Sequence, residues 1–402
     1  MDVVKRPALG KARLARLLLH LERSATARGP SALAQATVAA AAAHVRSFPK
    51  GLLAHLVLVP SWVASPVLLV LGLCASGAPF GGKGIAAALA LGAGLMASSK
   101  GLARNVLVAA LGALAAAAPS KKRPRALTAA GLVSVLAWGC STSEFSQRPG
   151  LIEFLMRWAK DYYAQAELRF APLANVRKGR SFFAFHPHGC LSAGFTINGT
   201  FNPDFMRHTG KVNWLIDPNL RHKNPSFKML AGAYCAEDRA IAAGDNAGFK
   251  DVMSRGESVA FIPGGFQDAV AFQYKREKTV IRGRKGFIKY CLQYGYRVHP
   301  VYTFGESETY YTFTGLERLR NFVSKYNIPM VAFIGWPLCP FLPWPETRII
   351  TYVGRGIDMP LLPSATKEEV DYWHSTYMAA LRQLFDEHKA EAGYPDAELE
   401  IL

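Results

Sequence analysis

Two histidines stand where a hydrophobic run ends. The stretch SFFAFHPHGCLSAGFT, residues 181–196, carries His186 and His188 on either side of Pro187. An apolar aromatic run closed by a glycine is typical of a buried strand, so we expect a strand that ends at these histidines. Side chains alternate along an extended chain, which predicts that both imidazoles point to the same side. Histidine is well suited to proton transfer near neutral pH, so this stretch is a candidate catalytic site.

Other uses of the two histidines stay open at this stage. An HxH pair occurs in metal sites, but none of the other histidines has the spacing of a third ligand. A structural role at a strand end and a nucleophilic Cys190 beside the histidines also fit the residue types. The chain has no GxSxG, GxGxxG or GxxxxGK[ST] motif, which argues against a serine hydrolase and against nucleotide-dependent chemistry.

Two glycine-containing stretches could complete such a site. In VAFIPGGFQD (259–268) a short strand leads to Gly264 and Gly265, where bare backbone can approach a ligand and offer N–H groups. The alternative for this stretch is a plain turn. VYTFGES (301–307) predicts a strand that ends in a glycine followed by the acid Glu306.

A third stretch is basic. IRGRKGFIK (281–289) places Arg282, Arg284 and Lys285 at the start of a predicted helix. Cations at a helix N-terminus suit phosphate groups, although a solvated basic face is the alternative.

The positive charge of the chain is uneven. The formal net charge is +18, and residues 1–150 hold 17 Lys and Arg against 3 Asp and Glu. Residues 151–402 hold 30 against 26. The basic residues of the first part flank apolar runs, so we expect membrane lipids as partners and no nucleic acid.

The apolar runs suggest that the chain enters a membrane. Residues 51–82 contain no charge over 32 positions, whereas a membrane helix needs about 20 apolar residues. Shorter Ala- and Gly-rich runs follow at 84–99, 105–120 and 126–143. We expect at least one membrane segment and favour two. The cluster KKRPR (121–125) is interpreted as a cytosolic loop or membrane-surface anchor rather than a nuclear signal.

The first 49 residues allow three interpretations. Their leucine spacing and basic residues fit an amphipathic helix at a membrane surface, an organelle transit peptide, or a poorly ordered tail. The six cysteines form no CxxC pair, which fits a catalytic part that faces the reducing cytosol.

From about residue 150 the composition is that of a globular domain with alternating strands and helices. Beyond the strand that leads to His186, we expect strands at Val212–Ile216, Val259–Ile262, Val298–Phe304, Val331–Ile334 and Arg348–Val353. Helices are expected at Leu151–Leu168, Lys285–Tyr294 and Lys367–Glu391, the last with Thr366 as its cap. This alternation predicts an α/β fold whose largely parallel sheet is flanked by helices and preceded by N-terminal membrane helices. The predicted divisions are 1–49, 50–145 and 150–402.

Four motifs together resemble a known family. HPHG, PGG, RKGF and PVYTFGES, in this order and spacing, are similar to those of the type-2 diacylglycerol acyltransferases, which include monoacylglycerol and wax-alcohol acyltransferases. The resemblance runs from about Leu151 to Leu402 and includes the closing helix and the Leu-Glu-Ile ending. It implies a glycerolipid-acyltransferase-like fold and a membrane enzyme that esterifies a lipid hydroxyl with the acyl group of acyl-CoA.

The resemblance assigns residues but includes departures. It points to His188 as the more widely shared histidine, because some members have another residue at the position of His186. Asp268 stands where the family has glutamate in GGxxE, and a Tyr-Phe-Pro motif appears only as Phe-Ala-Pro at 170–172. The usual membrane hairpin is replaced by a longer Ala- and Gly-rich region. The HxxxxD dyad of related glycerolipid acyltransferases is absent.

The chemistry implied by the resemblance needs one base near the lipid hydroxyl, because a thioester is already activated. We expect His188 to be this general base, with His186 orienting it or holding the developing charge. Asp268 or Glu306 is expected to pair with the imidazolium. The expected substrate-binding residues, with the backbone of the paired glycines facing the thioester oxyanion and the cations facing the CoA phosphates, are Pro187, Gly189, Gly264, Gly265, Arg282, Arg284, Lys285, Gly286 and Phe287.

The expected partners follow from the same resemblance. They are acyl-CoA as co-substrate and diacylglycerol as acceptor, with no cofactor and no metal; a homo-oligomer is left open. The expected location is the endoplasmic reticulum membrane or a lipid droplet, in preference to a plastid membrane. Monoacylglycerol or a long-chain alcohol is the alternative acceptor. A thioesterase or lipase using the same histidines, and a non-catalytic lipid-binding protein of the same fold, are the alternatives from other classes.

Overall fold

The structure is a computed structural model that describes residues 43–62, 110–113, 116–124, 126–130, 146–172, 174–313 and 333–402, with the single residues 78, 83, 85, 87, 88 and 315. Most of the predicted membrane region, and the basic segment before residue 43, lie outside the described residues. Among the helices of the described part, none combines the length and the apolar character that a membrane crossing requires. The predicted division of the chain at 49, 145 and 150 stays a prediction.

Helices and strands alternate from residue 149 onward. The helices are α1 (Pro149–Trp158), α2 (Pro203–Thr209), α3 (Pro218–Lys223), α4 (Pro225–Tyr234), α5 (Asn246–Ser254), α6 (Gly265–Ala271), α7 (Gly286–Tyr294) and α8 (Lys367–His388). The strands are β1 (Gln165–Phe170), β2 (Ser181–His186), β3 (Val212–Ile216), β4 (Ala240–Ala243), β5 (Ser258–Phe261), β6 (Lys278–Thr279), β7 (Arg297–Phe304), β8 (Tyr311–Thr312), β9 (Phe333–Ile334), β10 (Arg348–Val353), β11 (Ile357–Asp358) and β12 (Glu400–Ile401). Short helical turns are Ala159–Tyr162, Gly194–Thr200 and Glu306–Glu308.

The main sheet is mixed and mostly parallel. Its strand order is β1-β10-β7-β2-β5-β3-β4, with β11 added to β7. β2 lies between β5 and β7 and is parallel to both, whereas β10 and β11 run antiparallel to β7. The α/β class and the largely parallel sheet are therefore confirmed. In open parallel sheets the loops beyond the carboxyl ends of the strands form binding sites, and the HPHG stretch follows the carboxyl end of β2.

Both faces of β2 are buried. Phe183 and Phe185 belong to one hydrophobic core, and Phe182 and Ala184 belong to the core on the other face. All six residues of β2 are buried, as expected for a central parallel strand covered by helices on both sides. Because β2 is held in the core along its whole length, the loop that carries His188 begins directly after His186.

One predicted helix is wrong in its second half. Residues 151–168 are periodic enough to predict a single helix, but α1 ends at Trp158 and a strand begins at Gln165. That strand, β1, pairs in parallel with β10 along its whole length. Pairing with a distant strand overrides local helix propensity here, a common outcome for amphipathic segments.

The helical residues 43–62 pack on the α/β domain. Phe48 stacks on Tyr162 with ring centroids 5.8 Å apart, and Trp62 packs edge-on against Phe227 at 5.1 Å. Gly51 lies directly against the backbone at Tyr162, so a side chain at this position would overlap it. One face of this segment is thus buried against the domain that carries the histidines.

Candidate active site

The first histidine of the HPHG motif is a buried residue with two hydroxyl partners. His186 has no solvent exposure. Its Nδ1 lies 2.9 Å from Thr279 Oγ1, and its Nε2 lies 2.7 Å from Tyr377 Oη. Burial lowers the pKa of His186 to about 3, so the ring is neutral. With both nitrogens occupied by these hydroxyl groups, the ring is held within the core.

The second histidine is half-buried in the loop that follows β2. His188 Nδ1 lies 3.2 Å from the Gly189 carbonyl oxygen and 3.2 Å from Ser192 Oγ. Burial lowers the pKa of His188, and the Gly189 contact and the charge of Asp217 partly offset this effect. A neutral imidazole is the form that a general base requires.

The two rings have different neighbours. The sequence analysis placed both imidazoles on one side of an extended chain. In the structure β2 ends at His186. The side-chain alternation of a strand therefore does not extend to His188, and the rings of His186 and His188 do not form a pair. The described residues contain no group of three His, Cys, Asp or Glu that could hold a metal ion.

Asp268 holds the backbone of His188 and not its ring. The Asp268 carboxylate is 3% exposed, and its Oδ2 accepts hydrogen bonds from the His188 N–H at 3.1 Å and from Thr279 Oγ1 at 3.1 Å. Its Oδ1 accepts from the Val280 N–H. Burial raises the pKa of Asp268 to about 6, although these hydrogen bonds oppose the shift. A Cβ at position 264 would lie 2.5 Å from Asp268 Oδ1, so Gly264 leaves the room that this carboxylate occupies.

These contacts form one chain of hydrogen bonds from α8 to the HPHG loop. The single hydrogen of the Thr279 hydroxyl is donated to Asp268. His186 Nδ1 must therefore carry a hydrogen and donate to Thr279 Oγ1, which leaves Nε2 to accept from Tyr377 Oη. The tautomer of His186 is thus fixed by its partners, and α8 is coupled to the backbone of His188.

Glu306 holds the next part of the same loop. Its side chain is fully buried and accepts hydrogen bonds from the backbone N–H groups of Ala193 at 2.9 Å and Gly194 at 2.7 Å. Burial raises the pKa of Glu306 to about 7, against the effect of the two N–H donors. A Cβ at Gly189 would lie 2.6 Å from Glu306 Cδ, and the φ of Gly189 is +62°. Glycine is therefore needed at this position for two reasons: it has no Cβ to overlap Glu306, and it adopts a left-handed φ at little cost.

The expected pairing of an acid with the imidazole is absent. Neither the Asp268 nor the Glu306 carboxylate contacts the ring of His188; both bind backbone N–H groups of the loop around it. Their role in the structure is to position the loop. Pairing of an acid with the His188 ring was expected because acids orient histidines in triads. Here the carboxylate oxygens instead accept hydrogen bonds from buried N–H groups of the loop.

The paired glycines and the basic stretch are only partly available to a ligand. The Gly265 N–H donates to the Ile262 carbonyl at 3.0 Å, so this predicted oxyanion donor is engaged in the turn. Arg282 donates to the Ile401 carbonyl at 2.9 Å, and Lys285 Nζ lies 2.6 Å from Asp371 Oδ1. The side chain of Arg284 is exposed, and its charge acts on Asp268 to lower the pKa.

The remaining predicted binding residues divide between core and surface. Phe287 is buried in the core, where it stacks on Phe182 at 5.7 Å and packs edge-on against Tyr377 at 5.1 Å. Gly286 is exposed, and nothing lies within 4 Å of a Cβ built at this position. Pro187 is buried between the two histidines of the motif.

A small apolar cavity of about 30 Å³ lies beside the HPHG loop, between the helical segment 43–62 and the α/β domain. Its lining residues are His55, Leu58, Val59, Trp62, Tyr163, Leu191, Ala193, Thr196, Ile197, Glu306, Tyr310 and Pro343. The hydroxyl of Thr196 has no hydrogen-bond partner among the residues that the structure describes.

Sequence reasoning missed several residues of the site. Thr279 and Tyr377 carry no local signal, since they lie in a two-residue strand and in a long amphipathic helix. Ser192 carries no motif signal either, since it stands in no GxSxG context. Glu277 is a further buried carboxylate, which accepts hydrogen bonds from Tyr302 Oη at 2.7 Å and from Ser307 Oγ at 2.6 Å.

The sequence model of the Diacylglycerol acyltransferase family matches residues 143–402. This range includes the HPHG loop and the two carboxylates that hold it, those of Asp268 and Glu306. The chain belongs to this family. Diacylglycerol O-acyltransferase 2 of Homo sapiens is 26% identical over 268 residues, which cover 60% of this chain and 65% of the human protein. The family member 2-acylglycerol O-acyltransferase 3 of Homo sapiens is 27% identical over 273 residues, covering 60% of this chain and 73% of that protein.

A solved structure is also similar to this chain. The 1-acyl-sn-glycerophosphate (LPA) acyltransferase PlsC of Thermotoga maritima aligns with a TM-score of 0.35 and 12% sequence identity, covering 61% of this chain and 83% of that chain. A similarity of this size does not by itself establish a shared fold.

Proposed function

We propose that this chain is an acyl-CoA-dependent O-acyltransferase that converts diacylglycerol and acyl-CoA to triacylglycerol and CoA, with His188 as the general base. The observation that carries the proposal is the half-buried His188 ring, neutral and set in a loop that two buried carboxylates hold by its backbone. The family membership of residues 143–402 supports the same reaction class.

The geometry suggests which nitrogen acts as the base. The Gly189 carbonyl can only accept a hydrogen bond, so its contact with His188 Nδ1 requires a hydrogen on that nitrogen. The lone pair of the neutral ring is then on Nε2. In the proposed reaction Nε2 takes the proton of the lipid hydroxyl, whose oxygen attacks the thioester carbonyl. The new C–O bond forms, the C–S bond breaks, and the imidazolium returns the proton to the departing CoA sulfur.

The two buried carboxylates have a supporting role in this proposal. Asp268 and Glu306 keep the loop backbone in place, so that the ring of His188 is presented at the end of β2. A catalytic group that is held rigidly reaches the geometry of the transition state at a lower entropic cost. Acyl-CoA is a co-substrate in this mechanism, and no step requires a metal.

The basic stretch is proposed to face the CoA phosphates. Arg284 is the first candidate because its side chain is exposed, whereas Lys285 is paired with Asp371 and Arg282 with a backbone carbonyl. The basic, apolar N-terminal region supports a location in the endoplasmic reticulum membrane or at lipid droplets. In this proposal the lipids of that membrane or droplet surround the lipid substrate.

The second candidate acceptor is monoacylglycerol. It is favoured by the similarity to a protein named 2-acylglycerol O-acyltransferase. A long-chain alcohol is a third acceptor of the same chemistry. A non-catalytic lipid-binding role is the alternative from another class.

The test is an acyl-transfer assay with membranes from a host that makes no storage lipid. Labelled acyl-CoA is supplied with diacylglycerol, monoacylglycerol or a long-chain alcohol, and the products are separated. The wild type should form triacylglycerol, and His188→Ala should lose at least about 100-fold in rate. The matched control is His208→Ala, because His208 is an exposed histidine that contacts the Asp204 carbonyl on its own helix.

Each other result has a defined meaning. Unchanged triacylglycerol synthesis by His188→Ala would reject the general base. Loss of acyl-CoA without an acceptor would indicate a thioesterase. No product from any acceptor, in a protein that binds labelled lipid, would support the non-catalytic alternative.

A further inference from the structure

The two-residue strand β6 lies outside the main sheet and belongs to the hydrogen-bond chain that leads to His188. Thr279 is its second residue, and the hydroxyl of this residue lies between His186 Nδ1 and Asp268 Oδ2. The N–H of Val280, the next residue, donates to the other oxygen of Asp268. Asp268 in turn accepts from the His188 N–H at 3.1 Å. The position of β6 therefore sets the position of the carboxylate that holds the HPHG loop.

A second short strand, β12, holds β6. The two strands form a parallel pair, and in the described part of the chain β6 pairs with no other strand. The Glu400 N–H donates to the Glu277 carbonyl at 2.9 Å. The Leu402 N–H donates to the carbonyl of Thr279, also at 2.9 Å. Because a two-stranded sheet is only marginally stable by itself, β6 depends on whatever anchors β12.

The anchors of β12 are two core side chains and one arginine. Leu399 and Ile401 are 6% and 7% exposed and belong to the same hydrophobic core as Phe182 of β2. Arg282 Nη2 donates to the Ile401 carbonyl at 2.9 Å. The backbone N–H of Arg282 donates to the Leu402 carbonyl at 2.7 Å. The side chain and the backbone of Arg282 therefore both bind β12.

We propose that β12 and Arg282 position the HPHG loop. In this arrangement β12 fixes β6, β6 holds Asp268, and Asp268 holds the backbone of His188. Arg282 is then a positioning residue that acts through the strand pair, and it is not a ligand of the CoA phosphates. This inference rests on the proposed function, in which His188 is the general base. Neither β12 nor Arg282 touches the substrate in this scheme.

The decisive variant is Leu402→Pro, which removes one hydrogen bond between the two strands. Proline has no N–H to donate to the Thr279 carbonyl, and the Leu402 side chain is 40% exposed, so little packing is lost. We expect kcat to fall by about five- to tenfold, the effect of one hydrogen bond, while KM for acyl-CoA stays within about twofold of the wild type. The matched control is Leu402→Ala, which shortens the same side chain but keeps the N–H and should keep the wild-type kcat.

Replacement of Arg282 separates the two roles that this cation could have. Arg282→Ala removes the donor to the Ile401 carbonyl, so we expect kcat to fall by about tenfold with an unchanged KM for acyl-CoA. A ligand of the CoA phosphates would show the reverse, with a raised KM and a wild-type kcat. The comparison is Arg284→Ala, because Arg284 is an exposed arginine two residues away and the first candidate for those phosphates. Arg284→Ala should raise KM.

A purely structural role for β12 is tested by urea unfolding of the same variants. The unfolding curve gives the fraction of folded protein under assay conditions, and each rate is divided by that fraction. A positioning role predicts that the corrected kcat of Leu402→Pro and of Arg282→Ala is still reduced. If both corrected values equal the wild-type kcat, β12 only stabilises the fold and the positioning role is wrong.

The outcomes also separate this inference from the proposed function. If His188→Ala is inactive while Leu402→Pro and Arg282→Ala keep the wild-type kcat, the positioning role is wrong and the general base stands. If Arg282→Ala raises KM for acyl-CoA at a wild-type kcat, Arg282 binds the phosphates and its positioning role is overturned. If His188→Ala retains activity, the general base and the positioning of its loop are both rejected.

Discussion

Three glycines of the site allow the cost of crowding to be separated from the cost of backbone conformation. Gly265 has a φ of +51° and nothing within 4 Å of a Cβ built on it. Gly264 has an ordinary φ of −66°, but a Cβ there would overlap Asp268. Gly189 has both a φ of +62° and an overlap with Glu306. Alanine at position 265 therefore tests the cost of backbone conformation, alanine at 264 tests the cost of crowding, and alanine at 189 tests both.

The expected magnitudes follow from these contacts. Gly265→Ala should lower the free energy of unfolding by about 1 kcal/mol, the cost of a left-handed alanine. Gly264→Ala should lower it by about 2–3 kcal/mol, since Asp268 must move and lose a charge-assisted hydrogen bond. Gly189→Ala should cost about 3–5 kcal/mol, because Glu306 is displaced and the backbone is also strained.

The assay is urea unfolding of the purified protein, followed by tryptophan fluorescence. A double-mutant cycle adds Glu306→Ala, which opens the space beside position 189. The two substitutions should then be coupled by about 2 kcal/mol, because alanine at 189 no longer meets a carboxylate. The reasoning is refuted if Gly189→Ala is no more destabilising than Gly265→Ala, or if the two members of the cycle are additive.

Three further predictions concern stability. The pKa of Glu306 is raised by burial from 4.5 to about 7, so the folded protein binds this proton more tightly than the unfolded chain, and the contribution of Glu306 to the unfolding free energy should fall by up to about 3 kcal/mol as pH rises from 4.5 through 7. Buried histidines such as His186 act in the opposite direction, so the measurement is the difference in unfolding free energy between the wild type and Glu306→Gln; this difference should move against the wild type by most of that amount between pH 5 and pH 8. Tyr377→Phe should lower the unfolding free energy by about 1–3 kcal/mol, because His186 Nε2 loses its hydrogen-bond donor. The control is Tyr372→Phe on the same helix, where the side chain is 65% exposed and the unfolding free energy should change by less than about 0.5 kcal/mol. Equal effects of the two variants would contradict the buried hydrogen bond. Thr366→Ala should lower the unfolding free energy by about 1 kcal/mol, since it breaks the capping box with Glu369; a wild-type urea midpoint would argue against that cap.

The sequence predicts the strands of the central sheet well where burial alone decides. Val212–Ile216 and Arg348–Val353 are found at the predicted residues, and Thr366 caps the last long helix as expected. Both strands are runs rich in Val, Ile, Tyr and Trp, and nearly every position is buried, so local pattern and tertiary packing agree. The predicted helix at 151–168 is the opposite case, because β1 is recruited by β10 from far along the chain.

The sequence predicts which motifs come together but not which atoms they contact. The HPHG, PGG and FGES motifs do converge, and the glycine of one motif leaves room for the acid of another. Which atoms those acids bind depends on the path of the loop after β2, and no periodicity encodes that path. The partners of His186 lie 93 and 191 residues away in the sequence, so no local pattern could indicate Thr279 or Tyr377.

The distance from His186 to Tyr377 has a consequence for biosynthesis. At about 5–20 residues per second, a ribosome needs about 10–40 s to make the 191 residues that separate the two partners. During that time the central strand can form with its neighbours, but the imidazole at its end lacks the hydroxyl donor on which its buried state depends. The order of synthesis therefore makes the loop that carries His188 one of the last parts of the domain to reach its final geometry. A nascent chain stalled before α8 would present an incompletely formed HPHG loop to the translation and quality-control machinery.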